Sequence, residues 1–230
     1  MKFGIIGAME SEIRLVQKNM EGLTSKQVSG STYYLGKIGE SDVVLVCCGV
    51  GKVNAAIAAQ TLCVKYEVDA IINTGISGAL DSKLKVMDTV ISRQVTYHDA
   101  DLKVMQNFPP YNYLFEADPK LIELADQVLS NKEKYPQNHY IGKIVSGDVF
   151  VNDSALKKRI VEEFAPMCVE MEGAAIGHTA TMNNTPFLIL RTQSDSADDQ
   201  ADLSYEEFEV QAADISANII LDIIAGAKEL

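Results

Sequence analysis

VVLVCCGVGKVNAAIAAQTLCVKYEVDAIINTG, residues 43–75, reads as strand, helix, strand. Val43–Cys48 and Ala70–Thr74 are nearly continuous apolar runs, as expected of strands covered on both faces. Between them, Lys52–Tyr66 carries Ala55, Ala56, Ala58 and Ala59, small residues that let a helix lie close on a sheet. Two buried strands joined by a helix argue for a crossover unit and an α/β fold.

The same alternation extends in both directions. Strands are predicted at Lys2–Ile6, Thr32–Lys37, Thr89–Tyr97, Gly142–Val145, Cys168–Glu170 and Phe187–Thr192. Helices are predicted at Glu10–Met20, Pro119–Leu129, Ser154–Phe164, Gly173–Met182 and Tyr205–Lys228. Asp118 before Pro119 is an N-cap followed by proline at the first helical position. Ser204 and Glu207 have the spacing of a capping box. Met105–Phe115, with NFPPYNY, reads as an ordered loop, because two prolines suit neither a core helix nor a central strand. No linker or internal repeat interrupts the pattern, so residues 1–230 are expected to form one domain.

Composition narrows the function classes. The 230 residues are 47% hydrophobic and 23% charged, ordinary globular usage. Lys plus Arg number 20 against 32 Asp plus Glu, a formal net charge of -12. That field repels nucleic acid and anionic membranes and disfavours a substrate with several phosphates. Cys47, Cys48, Cys63 and Cys168 make no Cys-x-x-Cys pair, and Cys47 and Cys48 read as small buried hydrophobes. The chain begins with a strand-like run rather than a secretory signal, and no stretch approaches the roughly 20 apolar residues of a membrane span. A cytoplasmic protein is expected.

Ligands of open α/β sheets bind outside the carboxyl ends of strands. That rule selects Gly7–Glu12, Gly49–Lys52, Gly75–Leu80, Gly147–Asn152, Glu170–Gly173 and Ser194–Asp198. In GIIGAMESE, Glu10 and Glu12 either complement a helix dipole or hold a carboxylate over the sheet end as a general base. In VEMEGAA, Glu170 and Glu172 lie beside an apolar strand, and Glu172 either caps the next helix or serves a site. In RTQSDSAD, Asp195 either caps a turn or acts chemically. GVGKVNAA lacks the spacing of a phosphate-binding loop, and Gly49 and Gly51 suit a tight turn. The acids Asp195, Asp198, Asp199 and Asp202 lack the glycine and glutamate of a calcium loop. His98, Asp99 and Asp101 in YHDAD resemble metal ligands, but no second histidine lies nearby in sequence, and no metal is expected.

Taken in order, GIIGAMESE, GVGKVNAA, INTGISGAL, YHDAD, IVSGDVFVN, VEMEGAA and RTQSD resemble the 5′-methylthioadenosine/S-adenosylhomocysteine nucleosidases. The resemblance runs from Met1 to beyond Phe208. It implies a three-layer α/β/α, nucleoside phosphorylase-like fold with a central twisted mixed sheet, a homodimer, and cleavage of adenine nucleosides by water without metal or organic cofactor. It also implies roles. Glu12 matches the acid that activates water, Asp195 the proton donor to adenine nitrogen-7, and Ser194 the serine that orients it. Glu172 matches the acid that holds the ribose hydroxyls, with Met171 beneath the sugar. Phe150 matches the ring that stacks on adenine, and the Val151 backbone the partner of the base edge. Met9, Val50 and Gly78 match pocket-lining positions, Arg191 a neighbour of the water, and Tyr205 the 5′-tail pocket. Leu102, Met105 and the proline loop match a segment that reaches the neighbouring subunit's pocket.

Four positions depart from the family pattern. Ile76 replaces a serine that helps hold the water, which predicts a slower water step. Thr192 and Gln193 replace Ala-Ile, and Tyr205 replaces a phenylalanine, which predicts better tolerance of polar tails such as homocysteine. A phosphorylase of the same fold and a nucleoside-binding protein without turnover are the competing readings.

Overall fold

The computed structural model describes residues 1–198 and 201–227. Its first half contains β1 (Lys2–Gly7), α1 (Glu10–Lys18), β2 (Glu21–Val28), β3 (Ser31–Ile38), β4 (Ser41–Cys47), α2 (Lys52–Val64), β5 (Ala70–Asn73) and β6 (Ile76–Ala79). Then follow β7 (Thr89–Tyr97), α3 (Leu102–Asn107), β8 (Phe115–Glu116), α4 (Pro119–Leu129) and β9 (His139–Ser146). The chain continues with α5 (Ser154–Phe164), β10 (Cys168–Glu170), α6 (Gly173–Met182), β11 (Phe187–Asp195) and α7 (Ala201–Gly226).

The strands form one mixed sheet in the order β2-β3-β4-β1-β5-β11-β6-β10-β9-β7-β8. The decisive crossover is as read: β1 pairs in parallel with both β4 and β5, and α2 returns over them. Ala55, Ala58, Ala59 and Leu62 of α2 are buried. Gly4 of β1 admits the helix closely, since a Cβ there would sit 2.9 Å from Leu62 Cδ1.

The far half of the sheet curls. β11 pairs with β6 on one edge and antiparallel with β7 on the other, through Leu190, Arg191 and Thr192. With β6–β10, β10–β9 and β9–β7 also paired, these five strands close into a ring. Closure buries all nine residues of β11, including Arg191, Thr192, Gln193, Ser194 and Asp195.

Several elements differ from the sequence expectation. Gly75–Leu80 is largely strand β6, because Ile76–Ala79 is clasped between β11 and β10. Its glycine and serine carry no strand signal of their own. β2 is polar and exposed, and its identity comes from a hairpin whose turn residues, Ser29 and Gly30, both have positive φ (49 and 83°). The 105–115 segment is a loop only after Asn107: α3 precedes it, capped by Asp101, whose carboxylate accepts from the amides of Lys103 and Val104. Ser204 lies within α7 rather than capping it, because the helix begins at Ala201. Asp199 and Lys228 fall outside the described residues, as does the side chain of Asp202.

Helix α6 is seated by Gly177, where a Cβ would lie 2.6 Å from Val95 Cγ2 and 2.9 Å from Phe187 Cζ. Both neighbours are buried and tightly held. Gly177→Val is therefore expected to destabilise by about 1–3 kcal/mol through overpacking. Thermal unfolding reads this as a drop of about 2–4 °C per kcal/mol. An unchanged midpoint would show that α6 does not bear on the sheet at this point.

Candidate active site

A cavity of about 410 Å³ opens at the carboxyl ends of the strands. All six segments selected by the strand-end rule contribute to it, from Met9 and Glu12 to Ser194 and Asp195. Among the described residues lining it, Glu12, Glu170, Glu172, Asp195 and Glu206 are acids and none is Lys, Arg or His.

Glu12 stands in the first turn of α1. Its Oε2 accepts the amides of Ala8 (2.6 Å) and Met9 (3.0 Å), and its Oε1 accepts the amide of Ile76 (3.1 Å). The carboxylate thus satisfies the open N-terminus of its own helix while facing the cavity. Gly75 makes room for it, since a Cβ there would fall 2.5 Å from Glu12 Oε1 and 3.0 Å from Arg191 Nη1. Burial raises the Glu12 pKa, while Arg191 and the three amides pull it back.

Glu172 follows β10 at the N-cap of α6 but makes no side-chain cap there. Its Oε1 accepts the Gly51 amide at 2.8 Å, and its Oε2 lies 3.7 Å from Arg191 Nη2. The capping is done by Glu170, whose Oε2 accepts the amides of Glu172 (3.1 Å) and Gly173 (2.7 Å). Glu170 also takes hydrogen bonds from Ser146 and from the Arg191 guanidinium. No role was expected for Glu170. Its signal was present in VEMEGAA, as one of two acids beside an apolar strand, but sequence does not say which of them the arginine takes. Burial, then the neighbouring Glu170 charge, raises the Glu172 pKa.

Asp195 ends β11. Its Oδ2 accepts the Ser194 hydroxyl at 2.8 Å and its Oδ1 the Ala197 amide at 2.7 Å. Burial raises its pKa against the pull of those two donors. Gly78 forms a close floor, with no space for a Cβ beside Asp195 Oδ1 at 2.7 Å.

Phe150 and Tyr205 meet edge to face across the mouth, with ring centroids 5.7 Å apart and an interplanar angle of 78°. The Tyr205 hydroxyl donates to Met9 Sδ at 3.2 Å, so the polar atom added at this position has a partner. Met9, Val50, Gly78 and Met171 line the cavity as expected. Arg191 and Val151 do not. Arg191 is buried behind the acids, and Val151 borders a small adjoining cavity of about 30 Å³ while packing in a cluster with Val145, Ile160 and Val169.

The departures from the family pattern are accommodated locally. Ile76 turns its side chain onto Ala212 and Ala213 of α7, and only its amide serves Glu12. Ser77 donates to Gln193 Oε1 at 3.1 Å, and Thr192 pairs with Thr89 at 3.3 Å, so the new polar groups satisfy one another inside the ring. His98, Asp99 and Asp101 do not converge on a metal position: Asp99 binds Lys52 and Asp101 caps α3. Among the described residues, no three His, Cys, Asp or Glu side chains are grouped to hold a metal ion.

The phosphorylase superfamily profile matches residues 2–225. A 5′-methylthioadenosine/S-adenosylhomocysteine nucleosidase of Staphylococcus carnosus is 38% identical over 96% of this chain and 98% of its own length. The chain belongs to this nucleosidase family. Two solved members superpose closely. The Neisseria meningitidis enzyme, in complex with methylthio-immucillin-A, has a TM-score of 0.92 at 37% identity, covering 97% of this chain and 98% of its own. The Colwellia psychrerythraea enzyme, in complex with adenine, has a TM-score of 0.93 at 34% identity, covering 98% and 95%.

Arg191 offsets acids on three elements, and its removal leaves them buried without a counter-charge. Arg191→Met is expected to cost about 3–5 kcal/mol near neutral pH. The pH dependence has a definite sign. Carboxyl groups whose folded pKa is raised lose stability as pH climbs from their unfolded value through the folded one. Without Arg191, which now lowers the pKa values of Glu12 and Glu172, that loss grows. Urea unfolding near pH 5 and near pH 8 should show a larger deficit at the higher pH. A deficit that is the same at both would mean the acids do not depend on the arginine.

Proposed function

We propose that this protein hydrolyses the N-glycosidic bond of 5′-methylthioadenosine and S-adenosylhomocysteine, releasing adenine and the 5-substituted ribose. The observation that carries this reading is the set Glu12, Glu172 and Asp195 around one cavity, all with raised pKa, in a chain of the nucleosidase family.

Cleavage breaks the bond between C1′ and adenine nitrogen-9 and forms a bond from C1′ to water oxygen. The electron pair leaves with the base, so the base needs a proton and the sugar passes through an oxocarbenium-like state. Asp195 gives its proton to nitrogen-7, and its raised pKa favours the protonated form that this step needs. Glu12 takes the proton of the attacking water, with its anionic form supported by Arg191 and three amides. Glu172 grips the ribose hydroxyls and places negative charge near the developing cation. Met171 lies beneath the sugar, Phe150 stacks on adenine, and the Val151 backbone meets the base edge. Tyr205, near Met9, borders the 5′ tail.

The cavity disfavours the phosphorolytic alternative. Phosphate needs a cation, and Arg191 is committed to Glu170 behind the acids. Adenine release from methylthioadenosine in phosphate-free buffer tests this, with Asp195→Asn expected to lose about 10²–10⁴-fold. Because the Ser194 hydroxyl lowers the Asp195 pKa, Ser194→Ala should move the alkaline limb of kcat/KM to higher pH. Release only on adding phosphate would make the protein a phosphorylase. Nucleoside binding without release would make it a binding protein.

Ile76 leaves the water beside Glu12 without a side-chain hydroxyl, and turnover is slower for it. Ile76→Ser should raise kcat, and an unchanged kcat would show that this position does not limit the reaction.

The reading also includes a homodimer. Val53, Ile57 and Val64 recur at helical spacing on α2 and are exposed, with exposed Met182 on the adjacent α6. The exposed Val104, Phe108 and Tyr111 follow the same logic for the segment that reaches the partner's cavity. Val53→Glu with Val64→Glu should convert a dimer to a monomer by sedimentation; a monomeric native chain would remove this part. No helix among the described residues is long and apolar enough to cross a membrane. Cytoplasmic methionine salvage, which disposes of such thionucleosides, is the corresponding setting, and fractionation of cells tests it.

A further inference from the structure

The side chains of the YHDAD segment do not gather as metal ligands and line no part of the cavity, yet Asp99 anchors a polar network. Both carboxylate oxygens of Asp99 accept Lys52 Nζ at 2.7 Å, and Asp99 Oδ2 also accepts the Asp148 amide at 2.9 Å. The Lys52 amide donates to Asp148 Oδ1 at 2.8 Å, and Lys52 Nζ stands 3.6 Å from Asp148 Oδ2. One residue earlier, the Gly51 amide donates to Glu172 at 2.8 Å. Successive amides at the start of α2 therefore hold Glu172 on one side and Asp148 on the other. The His98 ring packs directly beneath Gly147, where a Cβ would meet Nε2 at 2.3 Å.

The side chains of Lys52 and Asp99 are each 22% exposed, so this pair is screened less than a surface ion pair. Phe150 lies two residues beyond Asp148 and is itself partly exposed at the mouth. Beyond its edge-to-face contact with Tyr205, its placement depends on the backbone that carries it.

We propose that Lys52, Asp99 and Asp148 form a positioning clamp that sets segment 147–151, and with it Phe150, at the separation from Glu172 that an adenine nucleoside spans. The proposal rests on the nucleosidase reading for what the separation serves. The three are positioning residues: none lines the cavity, and they act through Phe150 and through Gly51 on Glu172. Burial pushes the Asp99 pKa up, but Lys52 and the Asp148 amide outweigh it and hold the carboxyl below its ordinary value. Those two donors thus favour the charged form of Asp99.

The chain contains no tryptophan, so Phe150→Trp places a sole indole reporter on the segment. In that background, Asp99→Ala should lower the fluorescence anisotropy of the indole, and Asp99→Asn, which keeps an acceptor for the Asp148 amide, should restore part of it. In the native background, Asp99→Ala should lower kcat/KM for methylthioadenosine by about tenfold to a hundredfold, the range of a misplaced binding group. The fall should lie mainly in KM, with Asp99→Asn again intermediate. A lower thermal midpoint with unchanged KM and unchanged anisotropy would reduce the network to an ordinary ion pair and overturn the proposal. Failure of the nucleosidase reading would appear separately, as no adenine release by the native chain. The anisotropy of the two Asp99 variants then decides whether the clamp holds the segment.

Discussion

The fold and the site meet at the buried guanidinium of Arg191. A charge taken fully out of water is tolerated only when paired and hydrogen-bonded. Here Glu170 makes the direct contact, Glu172 lies 3.7 Å away, and Glu12 acts from the other side. Burial works against the arginine's charge, but the three acids outweigh it and raise its pKa. One cation in the ring of strands thus allows three carboxylates from three elements to face one cavity.

The ring explains why this is stable. β11 carries Arg191 between β6 and β7, and its pairing continues to Asp195. β10 delivers Glu170, the α6 N-cap position delivers Glu172, and β6 delivers the Ile76 amide to Glu12. Glycine provides the close approaches: Gly75 between Glu12 and Arg191, and Gly78 beside Asp195. At each of these positions a single methyl group would displace a carboxylate. The positions of the acids are therefore properties of the closed sheet more than of the segments that carry them.

The substitutions relative to the family pattern fall inside this frame without unbalancing it. Ser77 and Gln193 pair with each other, as do Thr89 and Thr192, which keeps buried polar atoms satisfied. Ile76 is different in kind. It places an apolar side chain, packed on α7, at the position of the family's serine, and only its amide reaches Glu12.

The sequence by itself determined the α/β class, the β4–α2–β5 crossover, the helices at 119–129, 154–164 and 173–182, and the strand-end segments that build the cavity. Those features follow from local apolar runs, caps and the rule that ligands sit at carboxyl ends of strands. The roles of Glu12, Glu172 and Asp195 came from resemblance, because a carboxylate at a helix start has the same local pattern whether it caps or reacts. Only the tertiary structure decided that Glu170 takes the arginine and caps α6, that residues 76–79 are a strand, and that Arg191 and Val151 stand behind the cavity wall. It also decided the fate of YHDAD, where Asp99 pairs with Lys52 and the Asp148 amide and Asp101 caps α3. The physical reason is common to all four. Each depends on pairing between residues distant in sequence, across strand edges or buried charges, and such partners leave no periodic or spacing signal in the chain.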